Sequence, residues 1–383
     1  MRRLLTTAIA AITVAAAVTA AGEPWKWSGV FARDAVTLLI IGDIQVHSRR
    51  ADPASAFVNM RDTLEAADLV YANLEGVLVK SDGPDGDIPD KKGWTHPGPG
   101  GAVALKANGI DVVGLANNVA YGRANILATM KALDAHGIAH TGAGRNIDQA
   151  HEPAIVERKG VRIGFLQYTA RWYREDQQIA TASDAGVARL KSVDGRTIDP
   201  GDLDRVLADV RRLRPKADIV VVSHHNRDGG TPVQFGSRPE PQGARADRTK
   251  AEEYQKVFAR EALDAGADLV FGHGTHTVQG VDRYKGKPIL YAIGHSAFDQ
   301  PGYEKSTDGF AVRVVIERKR VRRVSFVPVT RDSQNNVLLM DPASGEGARL
   351  VQIAKNVSDV PLAIDGREVV LLDTTMDTSP ERR

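Results

Sequence analysis

Three of the chain's ten histidines lie close together near two apolar stretches that are typical of strands. In DLVFGHGTHTVQGVDRYKGKPILYAIGHSAFD, residues 268–299, His273 and His276 follow the first stretch, and the second is predicted to end at His295. Imidazole nitrogen is the commonest metal ligand among side chains. Two histidines three residues apart, just beyond a strand, therefore indicate a metal site if other ligands join them.

Side chains of types that can bind metal also follow four other apolar stretches. They are Asp43, Glu75, the pair Asn117-Asn118 and the pair His224-His225. In open α/β sheets, ligands bind beyond the carboxyl ends of the strands. Each residue alone has an ordinary explanation, such as a hydrogen-bonded loop histidine, a turn aspartate or an N-cap asparagine. Five strand ends that bring such groups to one edge favour a metal site instead.

The ligand types predict two divalent ions. Two ions about 3.5–4 Å apart, bridged by a carboxylate, can activate water and hold a phosphoryl group. Glu75 is the predicted bridge, and the amide oxygen of Asn118 is a neutral ligand on one ion. The chain has no cysteine, so a shell of imidazole, carboxylate and amide remains, which suits Mn, Fe or Zn.

Alternating strands and helices are predicted to position these groups. The predicted strands include AVTLLIIGD, DLVYANLEG, IDVVGLANN, VRIGFLQYTA, ADIVVVSHH and ADLVFGHG, and the predicted helices cover about 52–66, 123–136, 202–214 and 250–265. This alternation indicates an α/β sheet. GVDRYKGKPI predicts a hairpin turning at Lys285-Gly286, and from Thr307 onward the pattern changes to neighbouring strands. We expect one large domain over residues 36–329 and a β-rich extension over residues 330–383.

Composition and charge are those of an ordinary globular protein. Of the 383 residues, 42% are hydrophobic and 26% are charged. Arg2 and Arg3 account for the net charge of +2, because the remaining chain has 48 basic residues (50 less these two) and 48 acidic residues. This balance offers no electrostatic reason to propose nucleic acid as a partner.

The first segment, MRRLLTTAIAAITVAAAVTAAG, has the layout of a secretory signal peptide. A basic start and an apolar middle precede small residues, which predicts a signal over residues 1–21 with cleavage after Ala20 or Ala21. The alternative is an uncleaved anchor, although the apolar run from Leu4 is slightly shorter than the roughly 20 residues of a membrane span. We therefore expect export to the periplasm or the cell surface.

The chain resembles capsule-biosynthesis proteins of the CapA type, which act in poly-γ-glutamate synthesis and belong to the calcineurin-like metallophosphoesterase superfamily. The resemblance rests on IGDIQVH, ANLEG, LANN, GIAHTGAGRN and the long histidine segment, in that order. It covers roughly residues 36–329 and implies a four-layer α/β/β/α sandwich. The metal positions that it implies are Asp43, His47, Glu75, Asn118, His224, His273 and His276. Of these, His47 departs in spacing, because the superfamily has a histidine two residues after the aspartate.

Other departures concern the acid that protonates a leaving group. The family usually has Asn-Asn-His, whereas Val119 stands in the third position here. His295 likewise stands where the family usually has asparagine. His225, His295 and Arg227 are the predicted catalytic residues that compensate for the missing histidine.

Three functions are compatible with these residues. The first is an exported metal-dependent hydrolase acting in capsule or poly-γ-glutamate synthesis or export, with a surface polymer and a capsule-synthesis membrane complex as partners. The second is a metal-stabilised protein that binds or assembles the polymer without hydrolysing it, which Val119 favours. The third is an exported phosphoesterase acting on small phosphoesters.

We predict that the mature protein begins near Ala21 or Gly22, because small residues at that point suit signal peptidase. N-terminal sequencing of the protein from its native host would test this. An intact Met1 in the mature fraction would show that the segment is retained.

Overall fold

The computed structural model describes residue 25 and residues 27–46, 52–78, 100–192, 194–226, 248–299 and 309–374. The predicted signal peptide lies outside these described residues. So do His47 and Arg227.

The secondary structure alternates as the sequence predicted. The strands are β1 (Val36–Gln45), β2 (Leu69–Leu74), β3 (Val112–Gly114), β4 (Ala139–Thr141), β5 (Ala143–Gly144), β6 (Ala154–Arg158), β7 (Val161–Thr169), β8 (Gly186–Val187), β9 (Ile219–His225), β10 (Leu269–His273), β11 (Val281–Tyr284), β12 (Lys287–Leu290), β13 (His295–Phe298), β14 (Gly309–Glu317), β15 (Arg320–Arg331), β16 (Val337–Leu339), β17 (Ala363–Asp365) and β18 (Glu368–Asp373). The helices are α1 (Arg61–Glu65), α2 (Gly100–Ala107), α3 (Arg123–Ala135), α4 (Ile147–Ala150), α5 (Glu175–Gln178), α6 (Pro200–Leu213), α7 (Glu253–Ala265) and α8 (Gly345–Asn356). A 3-10 helix over Pro53–Met60 leads into α1. No helix in the described residues is long and apolar enough to cross a membrane.

Two large sheets carry the fold. The ten-stranded sheet has the order β17-β18-β15-β14-β1-β2-β3-β4, with β13 beside β1 and β16 beside β15. The six-stranded sheet has the order β11-β12-β10-β9-β7-β6, and β5 and β8 form a small sheet of their own. Strands β1 to β4 are parallel, as are β7, β9, β10 and β12. The carboxyl ends of these parallel strands supply the edge at which the predicted ligands meet.

Strand β1 shows how the layers are stacked. Its residues point alternately to opposite faces of the sheet. Leu39 and Ile41 belong to an apolar cluster with residues of α2 and α3, whereas Leu38 and Ile40 belong to a cluster shared with the six-stranded sheet. A third cluster joins the outer face of the six-stranded sheet to α6 and α7. The predicted α/β sandwich is therefore confirmed, with its layers in the order helices, sheet, sheet, helices.

Local sequence signals explain where several elements begin and end. Asp199 caps α6 by accepting a hydrogen bond from the Asp202 amide, and Pro200 occupies the first turn. The predicted hairpin joins β11 and β12, and both turn residues, Lys285 and Gly286, have positive φ angles of 50° and 78°. Such angles are typical of the two-residue hairpin turn.

The C-terminal part continues the large sheet. Strand β15 runs across the predicted boundary at residue 330, and β18 pairs with β15. The described residues beyond the boundary also contain α8, so this part is not made of strands alone.

His295 begins a strand, whereas the sequence predicted that a strand would end there. Strand β12 ends at Leu290 in the six-stranded sheet, and β13 starts at His295 beside β1 in the other sheet. The residues between them cross from one sheet to the other. This crossing aligns His295 with Asp43 in the parallel pairing of β1 and β13.

We predict that Glu368→Ala lowers the free energy of unfolding by about 3–5 kcal/mol, because it leaves a buried cation without its partner. Glu368 is fully buried and lies 2.9 Å from Arg313 on β14, and it also accepts from the Ser28 amide and the Ser325 hydroxyl. Denaturant unfolding measures the change. Glu346→Ala is the control, since Glu346 forms an exposed pair with Arg349, and such pairs contribute about 0–1 kcal/mol. Equal effects of the two substitutions would contradict the structural role of Glu368.

Candidate metal centre

Three predicted ligands and one predicted catalytic residue, His295, meet where the two sheets face each other. They are Asp43 on β1, Glu75 just after β2, His276 just after β10, and His295 at the start of β13. One ligand atom from each lies within 4.8 Å of all the others. His276 Nδ1 is 3.1 Å from His295 Nε2, and His276 Nε2 is 3.9 Å from Glu75 Oε1. We call these four residues the metal cluster.

Three further predicted residues, His225, Asn118 and His273, lie beside the cluster. His225 Nε2 is 2.7 Å from Asn118 Oδ1, and His273 Nδ1 is 3.2 Å from Asp43 Oδ1. The Gly274 amide donates to Asp43 Oδ2 at 3.2 Å. Gly274 has a φ of 85°, and a Cβ there would lie only 2.6 Å from His225 Nε2. Only glycine therefore allows His225 and Asp43 to approach the same loop.

A chain of amide side chains orients Asp43. The Ala116 amide donates to Gln167 Oε1 at 3.0 Å, and Gln167 Nε2 donates to Asn73 Oδ1 at 2.8 Å. Asn73 Nδ2 in turn donates to Asp43 Oδ1 at 2.8 Å. Gln167 lies on β7 and Asn73 on β2, so this relay joins the two sheets and presents a hydrogen to the carboxylate. The sequence prediction missed both residues as site residues, although each is a polar residue within an otherwise apolar strand.

The surroundings of Asp43 favour its ionised form. Burial alone would raise its pKa, but the hydrogen bond and charge of His273, together with the charges of His225 and His295, hold the pKa of Asp43 well below its usual range. Asp43 is therefore a carboxylate ready to bind a cation.

The turn after β3 presents Asn118 to His225. Asn117 Oδ1 accepts from the amides of Val119 and Ala120 at 3.2 and 2.9 Å. Gln178 Nε2 donates to the carbonyl oxygens of Asn118 and Ala120 at 2.7 and 3.1 Å. Asn117 and Gln178 thus fix the backbone of the turn, which leaves the side-chain oxygen of Asn118 directed to the site.

His224 does not join this group. In β9 successive side chains point to opposite faces, and register pairs His225 with Thr169 and His273 but pairs His224 with Tyr168 and Gly272. The His224 ring packs against Phe258 and Tyr254 of α7, with ring centroids 4.9 and 6.3 Å apart. The contacts with α7 correct the assignment of a metal ligand to His224. Of the two neighbours, His225 is the one that faces the other predicted ligands.

The donor set suits divalent ions. Two donor atoms about 2.0–2.2 Å from one ion at tetrahedral or octahedral angles lie roughly 3–3.5 Å apart. The separations between His276 and His295 and between His273 and Asp43 fall in this range, at 3.1 and 3.2 Å. His273 Nε2 is buried and lacks a hydrogen-bond partner among the described residues, and Nδ1 has only its contact with Asp43. A bound ion would satisfy such atoms.

Gln45 is a third residue that the sequence prediction missed. It lies two residues after Asp43, where the superfamily has a histidine, and it is fully buried. Its Nε2 is 3.4 Å from the carbonyl oxygen of Glu75, whereas its Oε1 has no hydrogen-bond partner among the described residues. Gln45 therefore has a buried amide oxygen without a partner among the described residues, close to the backbone of Glu75.

Val119 contributes no polar group to the site. It is fully buried and forms a small apolar cluster with Tyr121 and Tyr173. The position at which the family usually has a histidine is thus a packing position in this chain.

Comparisons with known proteins identify the family of this chain. The family model described as "Bacterial capsule synthesis protein PGA_cap" matches residues 37–300. Capsule biosynthesis protein CapA of Bacillus anthracis is 26% identical over 306 residues, covering 77% of this chain and 67% of that protein. PGA biosynthesis protein CapA of Bacillus subtilis (strain 168) is 24% identical, covering 78% and 72%. A probable polyglutamine synthesis accessory protein of Mycobacterium tuberculosis is 29% identical over 243 residues, covering 62% and 57%. The chain belongs to the PGA_cap family of bacterial capsule synthesis proteins.

Proposed function

We propose that the protein is an exported, metal-dependent hydrolase that acts in the synthesis or export of a capsule polymer such as poly-γ-glutamate. The observation that supports the hydrolase is the metal cluster, in which four buried or half-buried ligand side chains converge at the edge of the sandwich. The names of the relatives support the polymer. Export, a surface polymer and a capsule-synthesis membrane complex are parts of the same proposal.

Two sets of residues would hold the ions. The metal cluster would hold one, and His225, Asn118 and His273 would hold a second together with Asp43, so that Asp43 rather than the predicted Glu75 is common to both sets. Divalent Mn, Fe or Zn would supply Lewis-acid stabilisation of negative charge and lower the pKa of a water molecule. The relay from Gln167 through Asn73 fixes Asp43, and Gln178 fixes the turn that carries Asn118. The chain thus sets the positions of its ligands before an ion binds.

The usual acid that protonates a leaving group is missing from this site. A positioned acid contributes typically about 10²–10⁴-fold to the rate, and Val119 has no proton to donate. His225 Nε2 is engaged with Asn118 and His295 Nε2 with His276. Hydrolysis should therefore favour substrates whose leaving group needs no proton.

A second candidate function is polymer binding without hydrolysis. The burial of Val119 against Tyr121 and Tyr173 favours it, because an apolar cluster replaces the usual acid next to intact ligands. In this case the ions would stabilise the fold and neutralise the carboxylates of an acidic polymer.

We predict about two divalent ions per chain in the wild type, measured by elemental analysis of the purified protein. His225→Phe should lose about one of them, because it removes a ligand. Metal removal from the wild type should also lower the melting temperature, since an ion bound only to the folded state stabilises that state.

The matched control is His224→Phe, one residue earlier in the same strand. It replaces a ring that already packs against Phe258 and Tyr254, so full metal content is expected. Loss of metal in His224→Phe with retention in His225→Phe would restore the original assignment of His224. A wild type that binds no metal would remove the hydrolase proposal.

We predict that the wild type hydrolyses aryl phosphoesters and is poor on alkyl phosphoesters. Val119→His should raise the alkyl rate by up to about 10²-fold, within the range of general acid catalysis, and should change the aryl rate little. Val119→Leu is the control, because it fills the same apolar cluster without a proton. Steady-state rates on the two substrate types give the ratio.

His295→Asn tests the rival donor. If this variant keeps its metal and loses only alkyl hydrolysis, the acid lies at residue 295 and the leaving-group prediction is wrong. If no variant hydrolyses either substrate while the metal-loaded protein binds poly-γ-glutamate, the second candidate function holds.

A further inference from the structure

A cavity separate from the metal cluster lies among α4, α5, β8 and α6. Its volume is about 520 Å³. Ile147, Ile179 and Val187 supply an apolar wall, and His151 and Arg205 supply polar groups. None of its lining residues belongs to the metal cluster. A cavity of this size accommodates a small organic molecule.

His151 is held rigidly at this cavity. It is only 4% exposed, and its Nδ1 lies 2.6 Å from Asp209 Oδ2. Asp209 also accepts from the Tyr168 hydroxyl at 3.0 Å and from Arg212. A carboxylate oxygen can only accept hydrogen bonds, so the hydrogen between Asp209 and His151 lies on His151 Nδ1. When the ring carries one hydrogen, Nε2 is therefore the acceptor nitrogen. Nε2 has no protein partner in the described part of the chain.

Arg205 is the unpaired charge of the cavity. Arg189 pairs with both Asp202, at 2.8 Å, and Glu175, and Asp176 pairs with Arg174. These pairs engage the three carboxylates of the cavity with two guanidiniums, and Arg205 supplies a third positive charge. Among the described residues, Arg205 has no hydrogen bond or ion pair, so its guanidinium remains for an anion.

We propose that this cavity binds an N-acylated amino acid. Its carboxylate would pair with Arg205, its amide N–H would donate to His151 Nε2, and its aliphatic carbons would pack on Ile147, Ile179 and Val187. A guanidinium and an imidazole nitrogen that lacks a protein partner, both in one cavity, match a carboxylate next to an amide N–H. Arginine binds carboxylates with two parallel hydrogen bonds, which gives direction as well as charge.

The position of His151 and Arg205 also suits a ligand that is one unit of a longer polymer. Both residues line a second cavity of about 320 Å³, so space lies on either side of them. This second cavity is also lined by Lys216 and by the exposed acids Asp148 and Glu152. Every unit of a γ-linked glutamate polymer has a carboxylate next to an amide N–H. The extension to that polymer rests on the proposed function, whereas the site itself does not.

Calorimetric titration of the full mature protein with N-acetylglutamate tests the proposal. We expect saturable binding, weakened about tenfold by Arg205→Gln, because glutamine keeps one N–H donor but loses the charge and the second hydrogen bond. Arg211→Gln is the matched control: it removes the same charge from the same helix at an exposed position that lines neither cavity, and it should bind like the wild type. Glutarate, which has carboxylates but no N–H, should bind more weakly than N-acetylglutamate.

Three results would overturn the proposal: no saturable binding, equal weakening by Arg205→Gln and Arg211→Gln, or glutarate binding as tightly as N-acetylglutamate. Asp43→Asn separates the two sites. This variant should lose metal and still bind N-acetylglutamate. Ligand binding in this cavity can therefore be interpreted even if the metal-centre proposal is wrong.

Discussion

The buried carboxylate of Asp43 is the group on which the other features depend. A charge without partners in the interior is strongly unfavourable, so the fold has to surround it with donors. His273 comes from β10, Asn73 from β2 and the Gly274 amide from the loop after β10. These donors belong to both sheets. The sandwich must therefore be assembled before Asp43 is stabilised, and the ionised Asp43 in turn favours a cation at the junction.

A second constraint is the close approach of two glycines. The Asp43 amide donates to the Gly294 carbonyl oxygen at 2.9 Å, and a Cβ on Gly42 would lie 2.2 Å from that oxygen. The chain crosses between the sheets just before Gly294, and the contact places His295 in register with Asp43. Glycine at position 42 thus makes room for the strand that brings the last histidine to the metal cluster.

The sequence predicted the strands and the edge at which they meet, because long apolar runs followed by polar residues are local features. It could not assign His224 and His225 to faces: β9 is buried on both sides, so no alternation of polar and apolar residues distinguishes them. Nor could it show that residues 291–294 cross between sheets, which depends on packing. Asn73, Gln167 and Gln45 stood within apolar strands, and their roles depend on partners that are distant in sequence.

The two neighbouring histidines of β9 show how one strand serves two layers. Burial, together with the charges of His273 and His225, lowers the pKa of His224 to about 3, so His224 is neutral and packs against α7 as an aromatic ring. His225 faces the other way and meets the oxygen of Asn118. A neutral ring costs far less to bury than a charged one. The outer layer therefore tolerates His224 without a ligand, whereas the inner face concentrates its imidazoles around Asp43, where a cation can use them.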